Sequence, residues 1–188
     1  MTEMISLYEG SLVRLGPIDY EKDPEVLARW SRDPYLRFIL GGLARPLSVE
    51  AARKLLEKVE KKMDESKNLF HFMLRARADD RLVGLAEIIL FDLTGSSARL
   101  NLGIGEGDDR EAGYGRDALD LLLRFSFHEL NLHRVSVFPA ADNIPILSLV
   151  EKAGFELEAT RRKAAFHDGS YWDELDLGLL KEKWEKML

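Results

Sequence analysis

Between Asn101 and Phe125 the chain reads NLGIGEGDDREAGYGRDALDLLLRF, with glycine at 103, 105, 107, 113 and 115 and arginine at 110 and 116. Read as a strand, ARLNLGIGE carries Ala98, Leu100, Leu102, Ile104 and Glu106 on one face and Arg99, Asn101, Gly103 and Gly105 on the other. The second face loses its side chains toward the end of the strand. Glycine there marks a bulge or the close approach of a backbone or an extended, amide-bearing ligand. The loop Arg110, Glu111, Ala112, Gly113, Tyr114, Gly115 and Arg116 then opens an apolar helix. The first N–H groups of that helix have no partner within it, and with the positive end of the helix dipole they form a cradle for phosphate. Arg110 and Arg116 are placed to add counter-charge. For the glycines alone, a hairpin exit that binds nothing reads equally well. A dinucleotide fingerprint fits poorly, because its glycines open the helix directly, and no Lys-Ser or Lys-Thr follows to make a P-loop.

Two carboxylates have positions suited to a general base. Glu106 ends the glycine strand, with a solvated loop-entry residue as its plain alternative. Glu87 lies in VGLAEIILF on the face shared by Val83, Leu85, Ile89 and Phe91, where apolar neighbours would raise its pKa. Its plain alternative is a strand carboxylate paired with an arginine from the next strand. His71, His133 and His167 are scattered without i, i+4 spacing, so no metal site is expected. His133 reads as a packing residue and His128 as a solvated one. Trp30 reads as a core residue or as the aromatic wall of an acceptor pocket, beside the glycine- and proline-containing RFILGGLARPLS.

The elements that must position these groups follow the order β-α-α-β-β-β-α-β-α-β-β. SLVRLGPI is the first strand; PEVLARWSRD and SVEAARKLLEKVEKKMDES are helices, the second opened by Ser48. LFHFMLRAR and RLVGLAEIILF flank the turn Ala78-Asp79-Asp80. After the glycine strand come a helix from Arg116 to Leu130, the strand RVSVFP, a helix from Asp142 to Lys152 stopped at Gly154, and a hairpin turning at His167-Asp168-Gly169-Ser170. Three consecutive strands argue against an all-parallel sheet and the βα alternations against an all-β fold, which leaves a mixed sheet with helices on both faces. With 188 residues and no linker or repeat, residues 1–188 read as one domain. A formal charge of −6 disfavours nucleic acid as a partner. No apolar run spans a membrane, no leader is visible at the start, and cysteine is absent. These features fit a cytoplasmic protein without disulfides, thiolate metal sites or a cysteine nucleophile.

The stretches LNLGIGEGDDREAGYGRDALDLLLRFSFHELNLHRV and ADNIPILSLVEKAGFELEATRRKAAFHDGSYWDELDLGLL resemble the GCN5-related N-acetyltransferases, in the branch of ribosomal-protein N-terminal and polyamine acetyltransferases. The family's Arg/Gln-x-x-Gly-x-Gly/Ala loop is matched by Arg110, Gly113 and Gly115, followed by Asn143 and by Glu151-Lys152-x-Gly154-Phe155. The resemblance implies a mixed, mostly antiparallel sheet splayed between two parallel strands, ARLNLGIG and RVSVFP. Acetyl-CoA would lie there, with pantetheine along Leu102, Gly103 and Ile104, the pyrophosphate on residues 110–116, and Asn143 and Lys152 completing the cofactor contacts. A backbone N–H of the 102–104 strand would face the thioester oxyanion. Relatives with a tyrosine acid carry it where Val150 stands here, and a serine used by others falls at Ile146. Glu111-Ala112 replaces a common Gly-Lys, removing a positive charge beside the phosphates.

Two functions follow from the resemblance. One is N-acetyl transfer to a primary amine (a protein N-terminus, a polyamine or a small amine) by direct attack in a ternary complex. The other is a catalytically weak acetyl-CoA-binding module serving as sensor or docking domain, for which Val150 speaks. Tyr171 and Trp172 on the last hairpin are placed to wall an acceptor site or a homodimer interface. Gly113→Glu is expected to abolish acetyl-CoA binding by calorimetry, because it blocks backbone approach and adds negative charge; unaltered affinity would show that this loop is not the cradle.

Overall fold

The structure is a computed structural model that describes residues 6–33, 45–92 and 96–188. The elements are β1 (Val13–Gly16), α1 (Asp23–Trp30), α2 (Val49–Ser66), β2 (Leu69–Ala76), β3 (Leu82–Asp92), β4 (Ser97–Ile104), α3 (Tyr114–Arg124), β5 (Arg134–Val137), α4 (Ile144–Lys152), β6 (Glu156–His167), β7 (Ser170–Leu180) and α5 (Lys181–Glu185). The strands form one mixed, mostly antiparallel sheet in the order β1-β2-β3-β4-β5-β7-β6. This is the expected order of elements with α5 added. A helix of five residues shows no amphipathic period to read. RFILGGLARPLS lies, up to residue 44, outside the described residues. The chain divides into two compact units, Met1–Ile88 with Asn101–Phe125, and Ile89–Leu100 with Ser126–Leu188.

In the first unit β1 and β2 run antiparallel, with Val13 opposite Ala76 and Gly16 opposite Met73. The two faces of β2 are covered differently, as alternation requires. Met73 packs with Leu27, Trp30, Leu47, Ala52 and Leu56 from α1, α2 and the segment before α2. Phe70 and Phe72 meet Phe125, just beyond α3, edge-on at 5.7 and 5.4 Å. Ser48 caps α2, accepting from the Ala51 N–H at 3.1 Å. α1 has a buried ionic tie: both Asp23 carboxylate oxygens accept from Arg75 Nη2 at 3.0 and 2.9 Å. Burial pushes the Asp23 carboxyl above its usual range, against the opposing pull of the Asp19 N–H and Arg75.

α3 starts at Tyr114, two residues before the expected Arg116, because Gly113 at φ 88° already supplies its N-cap. Its apolar stripe behaves as the period demands, with Leu119, Leu122 and Leu123 buried. The helix is anchored by a residue that reads locally as part of the polar stripe. Asp117 accepts the N–H groups of Ser11 at 2.9 Å, Leu12 at 2.8 Å and Val13 at 2.8 Å, pinning the entry to β1 onto the first turn of α3. A side chain at residue 10 would run into this carboxylate, at 2.3 Å from Oδ2, which explains Gly10.

In the second unit β4 pairs in parallel with β5, Ser97 to Arg134 and Arg99 to Ser136. β5 pairs antiparallel with β7, and β7 with β6. The β6–β7 turn places Asp168 and Gly169 at φ 49° and 71°, the left-handed pair favoured in tight hairpins. Trp184 of α5 packs on Phe127 with ring centres 5.2 Å apart. His128 is exposed and meets the edge of the same indole at 4.9 Å. His133, expected to pack, is exposed instead.

Asp117→Ala should cost about 2 kcal/mol, since three backbone donors lose a charged acceptor. Urea denaturation measures this, and a loss below about 0.5 kcal/mol would show that the tie contributes nothing net.

Candidate active site

The loop assigned to phosphate from the sequence lies between β4 and α3. A short 3-10 turn, Asp108–Glu111, follows the strand, then Ala112 and the left-handed Gly113. The first intrahelical bond runs from the Asp117 N–H to the Gly113 carbonyl at 3.2 Å, so the N–H groups of Tyr114, Gly115 and Arg116 precede the helical ladder. Glu111, Ala112, Gly113 and Arg116 are exposed. An anion approaching this turn meets main-chain donors and the positive end of the α3 dipole.

The glycines have separate physical causes. At φ 88° any other residue at 113 is strained. A Cβ at Gly105 would sit 2.0 Å from the Trp30 indole, so this glycine admits an aromatic ring. Across the sheet, a Cβ at Gly84 would lie 2.4 Å from the Gly103 carbonyl oxygen, so β3 and β4 approach closely there. Around Gly107 the space is open.

Arg110 and Arg116 are committed to protein partners. The Arg110 guanidinium donates to the Ile104 carbonyl at 3.3 Å and the Gly105 carbonyl at 3.0 Å, and pairs with Asp33. It therefore ties the loop to the end of β4 and to the residues after α1, rather than standing free as counter-charge. Arg116 pairs with Asp120 one turn along the surface of α3, at 3.1 Å. A further clamp was not legible locally. Arg81 donates to both oxygens of the buried Asp109 at 2.6 and 2.7 Å, and its guanidinium lies 5.7 Å from the Tyr114 ring centre.

The two candidate bases differ in their surroundings. Glu106 Oε1 accepts from Trp30 Nε1 at 2.9 Å and from Arg29 Nε and Nη2 at 3.0 and 2.7 Å. These bonds, Trp30's first, hold its carboxyl below the usual range. It is a fastened carboxylate and a weak base, and Trp30 is both a core residue and its donor. Glu87 is largely buried, with Oε1 3.2 Å from His71 Nδ1 and Oε2 accepting from Asn101 Nδ2 at 2.9 Å. The expected rise in its pKa is overturned. Burial does push the carboxyl up, but the hydrogen bonds from His71 and Asn101 outweigh it and the net shift is downward. Its partners are a histidine and an asparagine, where sequence reading offered an arginine.

In the second unit Asn143 caps α4, its Oδ1 accepting from the Ile146 N–H at 3.3 Å, and Lys152 is exposed in the last turn. Val150 is fully buried. His167 Nε2 lies 3.1 Å from Asp142 Oδ1, and its ring stacks on Trp172. Among the described residues no group of three or more His, Cys, Asp or Glu has the arrangement of a metal site, and no helix is long and apolar enough to cross a membrane.

Residues 13–156 match the family model described as an acetyltransferase (GNAT) domain. The uncharacterized SPbeta prophage-derived N-acetyltransferase YokL of Bacillus subtilis (strain 168) is 30% identical, over 72% of this chain and 74% of its own length. The spermidine N(1)-acetyltransferase of Vibrio cholerae serotype O1 is 29% identical, over 57% of this chain and 61% of its own. The crystal structure of a Vibrio cholerae spermidine N-acetyltransferase in complex with CoA and spermine superposes with a TM-score of 0.77 at 21% identity, covering 92% of this chain and 98% of that one.

Because the folded-state pKa of Glu106 lies below the ordinary 4.5, its ionised form adds stability above that pH, and the gain is lost as pH falls through the folded value. Glu106→Gln should therefore flatten the acid side of the stability–pH curve below about pH 5, followed by Trp fluorescence under denaturant. Superimposable curves would show that the Arg29–Trp30–Glu106 cluster does not feed stability.

Proposed function

The chain belongs to the GNAT acetyltransferase family, whose enzymes use acetyl-CoA, and we propose that it transfers the acetyl group to a primary amine of a small cationic substrate, with polyamines the first class to test. Residues 1–188 act as one N-acetyltransferase domain in this reading, and the amine attacks directly in a ternary complex. The observation that carries it is the exposed first turn of α3, where main-chain N–H groups follow a left-handed glycine. The pyrophosphate is assigned to residues 110–116, with Gly113 and Gly115 allowing close approach, and pantetheine to Leu102, Gly103 and Ile104. Arg110 serves through its backbone and by shaping the loop, since its guanidinium is engaged with Ile104, Gly105 and Asp33. Asn143 and Lys152 remain the assignments for the second unit. A formal charge of −6 favours the arrival of a cation, and the spermidine acetyltransferases among the similar proteins support the same class of acceptor.

An alkylammonium has a pKa of about 10, so at neutral pH the acceptor must lose a proton before it attacks. The base belongs to the Glu87 cluster in preference to Glu106, whose Oε1 already accepts three donors. The amine nitrogen then bonds to the thioester carbon, the C–S bond breaks, and the departing CoA thiolate takes up the amine's second proton. Thiol pKa values near 8.5 make that departure feasible without a dedicated acid, which suits a buried valine at 150.

The test is thiol release from acetyl-CoA with putrescine, spermidine, spermine and N-terminal peptides. The chain has no cysteine, so a thiol reagent reports CoA alone. Release with the polyamines and not with the peptides is expected. Tight acetyl-CoA binding without release across the panel would instead establish a binding module.

A further inference from the structure

Within the Glu87 cluster the hydrogen bonds single out one atom. Both carboxylate oxygens are occupied, Oε1 facing His71 Nδ1 at 3.2 Å and Oε2 accepting from Asn101 Nδ2 at 2.9 Å. The His71 side chain is only 3% exposed, and its Nε2 is buried without a hydrogen-bond partner among the described residues. Asn68 Oδ1, Ser126 Oγ and Asp176 Oδ1 share that condition among the described residues, but none is a ring nitrogen whose other nitrogen faces a carboxylate. A buried polar atom left unpaired costs about 1–3 kcal/mol, so each one calls for an explanation.

The tautomer follows from the carboxylate. Glu87 is held in its ionised form by its two partners and accepts hydrogen bonds only, so the hydrogen of a neutral His71 ring sits on Nδ1. That leaves the Nε2 lone pair free to accept. The cluster also abuts the strand assigned to the acetyl donor. Asn101 lies two residues before Gly103 on β4, on the same face, a separation of about 7 Å along the strand. The charged group that bears on Glu87 from α2 is Lys62, and Met63 of the same helix accepts the His71 N–H through its sulfur at 3.3 Å.

We infer that His71 Nε2 is the proton acceptor for the incoming amine, with Glu87 and Asn101 as positioning residues that fix its tautomer and balance the imidazolium. The inference rests on the transferase reading above and names the base within it. The ammonium gives one proton to Nε2, and the freed lone pair forms the N–C bond to the thioester carbon. As the C–S bond breaks, the second amine proton passes to the departing sulfur, giving amide and CoA thiol. The imidazolium, stabilised by Glu87, returns its proton to solvent after the products leave. Charge and atoms balance without any further reagent, and the arrangement has the logic of a carboxylate-oriented histidine base.

His71→Asn separates this from the simpler idea that Glu87 is itself the base. The asparagine amide stands where Nδ1–H stood, so Glu87 keeps a donor while the Nε2 lone pair is lost. With spermidine and saturating acetyl-CoA, kcat should fall by about 10²–10⁴-fold, with loss of the acid limb of the pH profile and unchanged acetyl-CoA affinity by calorimetry. Glu87→Gln should also reduce kcat. Wild-type kcat and pH profile in His71→Asn would overturn the assignment. Nitrogen NMR of the wild-type imidazoles gives a readout that needs neither turnover nor a folded variant. A neutral His71 with its hydrogen on Nδ1 is expected; hydrogen held on Nε2 at the assay pH overturns the proposal. If no amine releases CoA from the wild-type protein, the substrate reading fails and this assignment with it, whereas release with hydrogen held on Nε2 overturns the assignment alone.

Discussion

The site depends on main-chain amides left without intrahelical partners at the start of α3. A helix that begins at a left-handed residue turns its first N–H groups toward the incoming loop, and only glycine takes φ 88° there without strain. Such donors are useful only if they hold still, and the surrounding side chains supply that rigidity. Asp117 fastens the first turn to residues 11–13, Arg81 clamps Asp109 ahead of it, and Arg110 ties the loop to the end of β4. Each is a charge-assisted contact, the kind that fixes geometry most firmly.

In the proposed reading, an acidic chain holds an anionic donor through its backbone. The arginines nearest the loop, 81, 110 and 116, each have a carboxylate partner, so in the proposed reading the attraction for phosphate falls mainly to oriented amides and the helix dipole. Those belong to the backbone and survive side-chain substitution. A Glu111-Ala112 pair in place of Gly-Lys is tolerable on these terms, since the cradle keeps its donors whatever the loop's side chains carry.

Glu87 and Glu106 show environment deciding chemistry. Glu87 lies within β3 and Glu106 two residues beyond the end of β4, and both are held below the usual range. Glu106 gains three donors on one oxygen and becomes a fixed acceptor between α1 and the loop, while Glu87 is enclosed with a histidine whose Nε2 has no partner among the described residues. A carboxylate that stays ionised in a buried place suits an orienting role better than proton abstraction. The clasp of Arg29, Trp30 and Asp33 onto Glu106 and Arg110 further ties the end of α1 to the donor loop.

The order of strands and helices, the glycine at the start of α3, the Ser48 cap and the Asp168-Gly169 turn were legible in the sequence, because period, capping and positive φ are properties of a few adjacent residues. What only the tertiary structure decided was which charged groups meet. Asp117 with residues 11–13, Arg81 with Asp109, Arg110 with Asp33, and Glu87 with His71 and Asn101 lie far apart along the chain. Nothing in local spacing encodes such pairs. For Glu87, local reading therefore offered the wrong partner and the wrong direction of shift, since a carboxylate's pKa is set by donors that only folding brings within 3 Å or so of it.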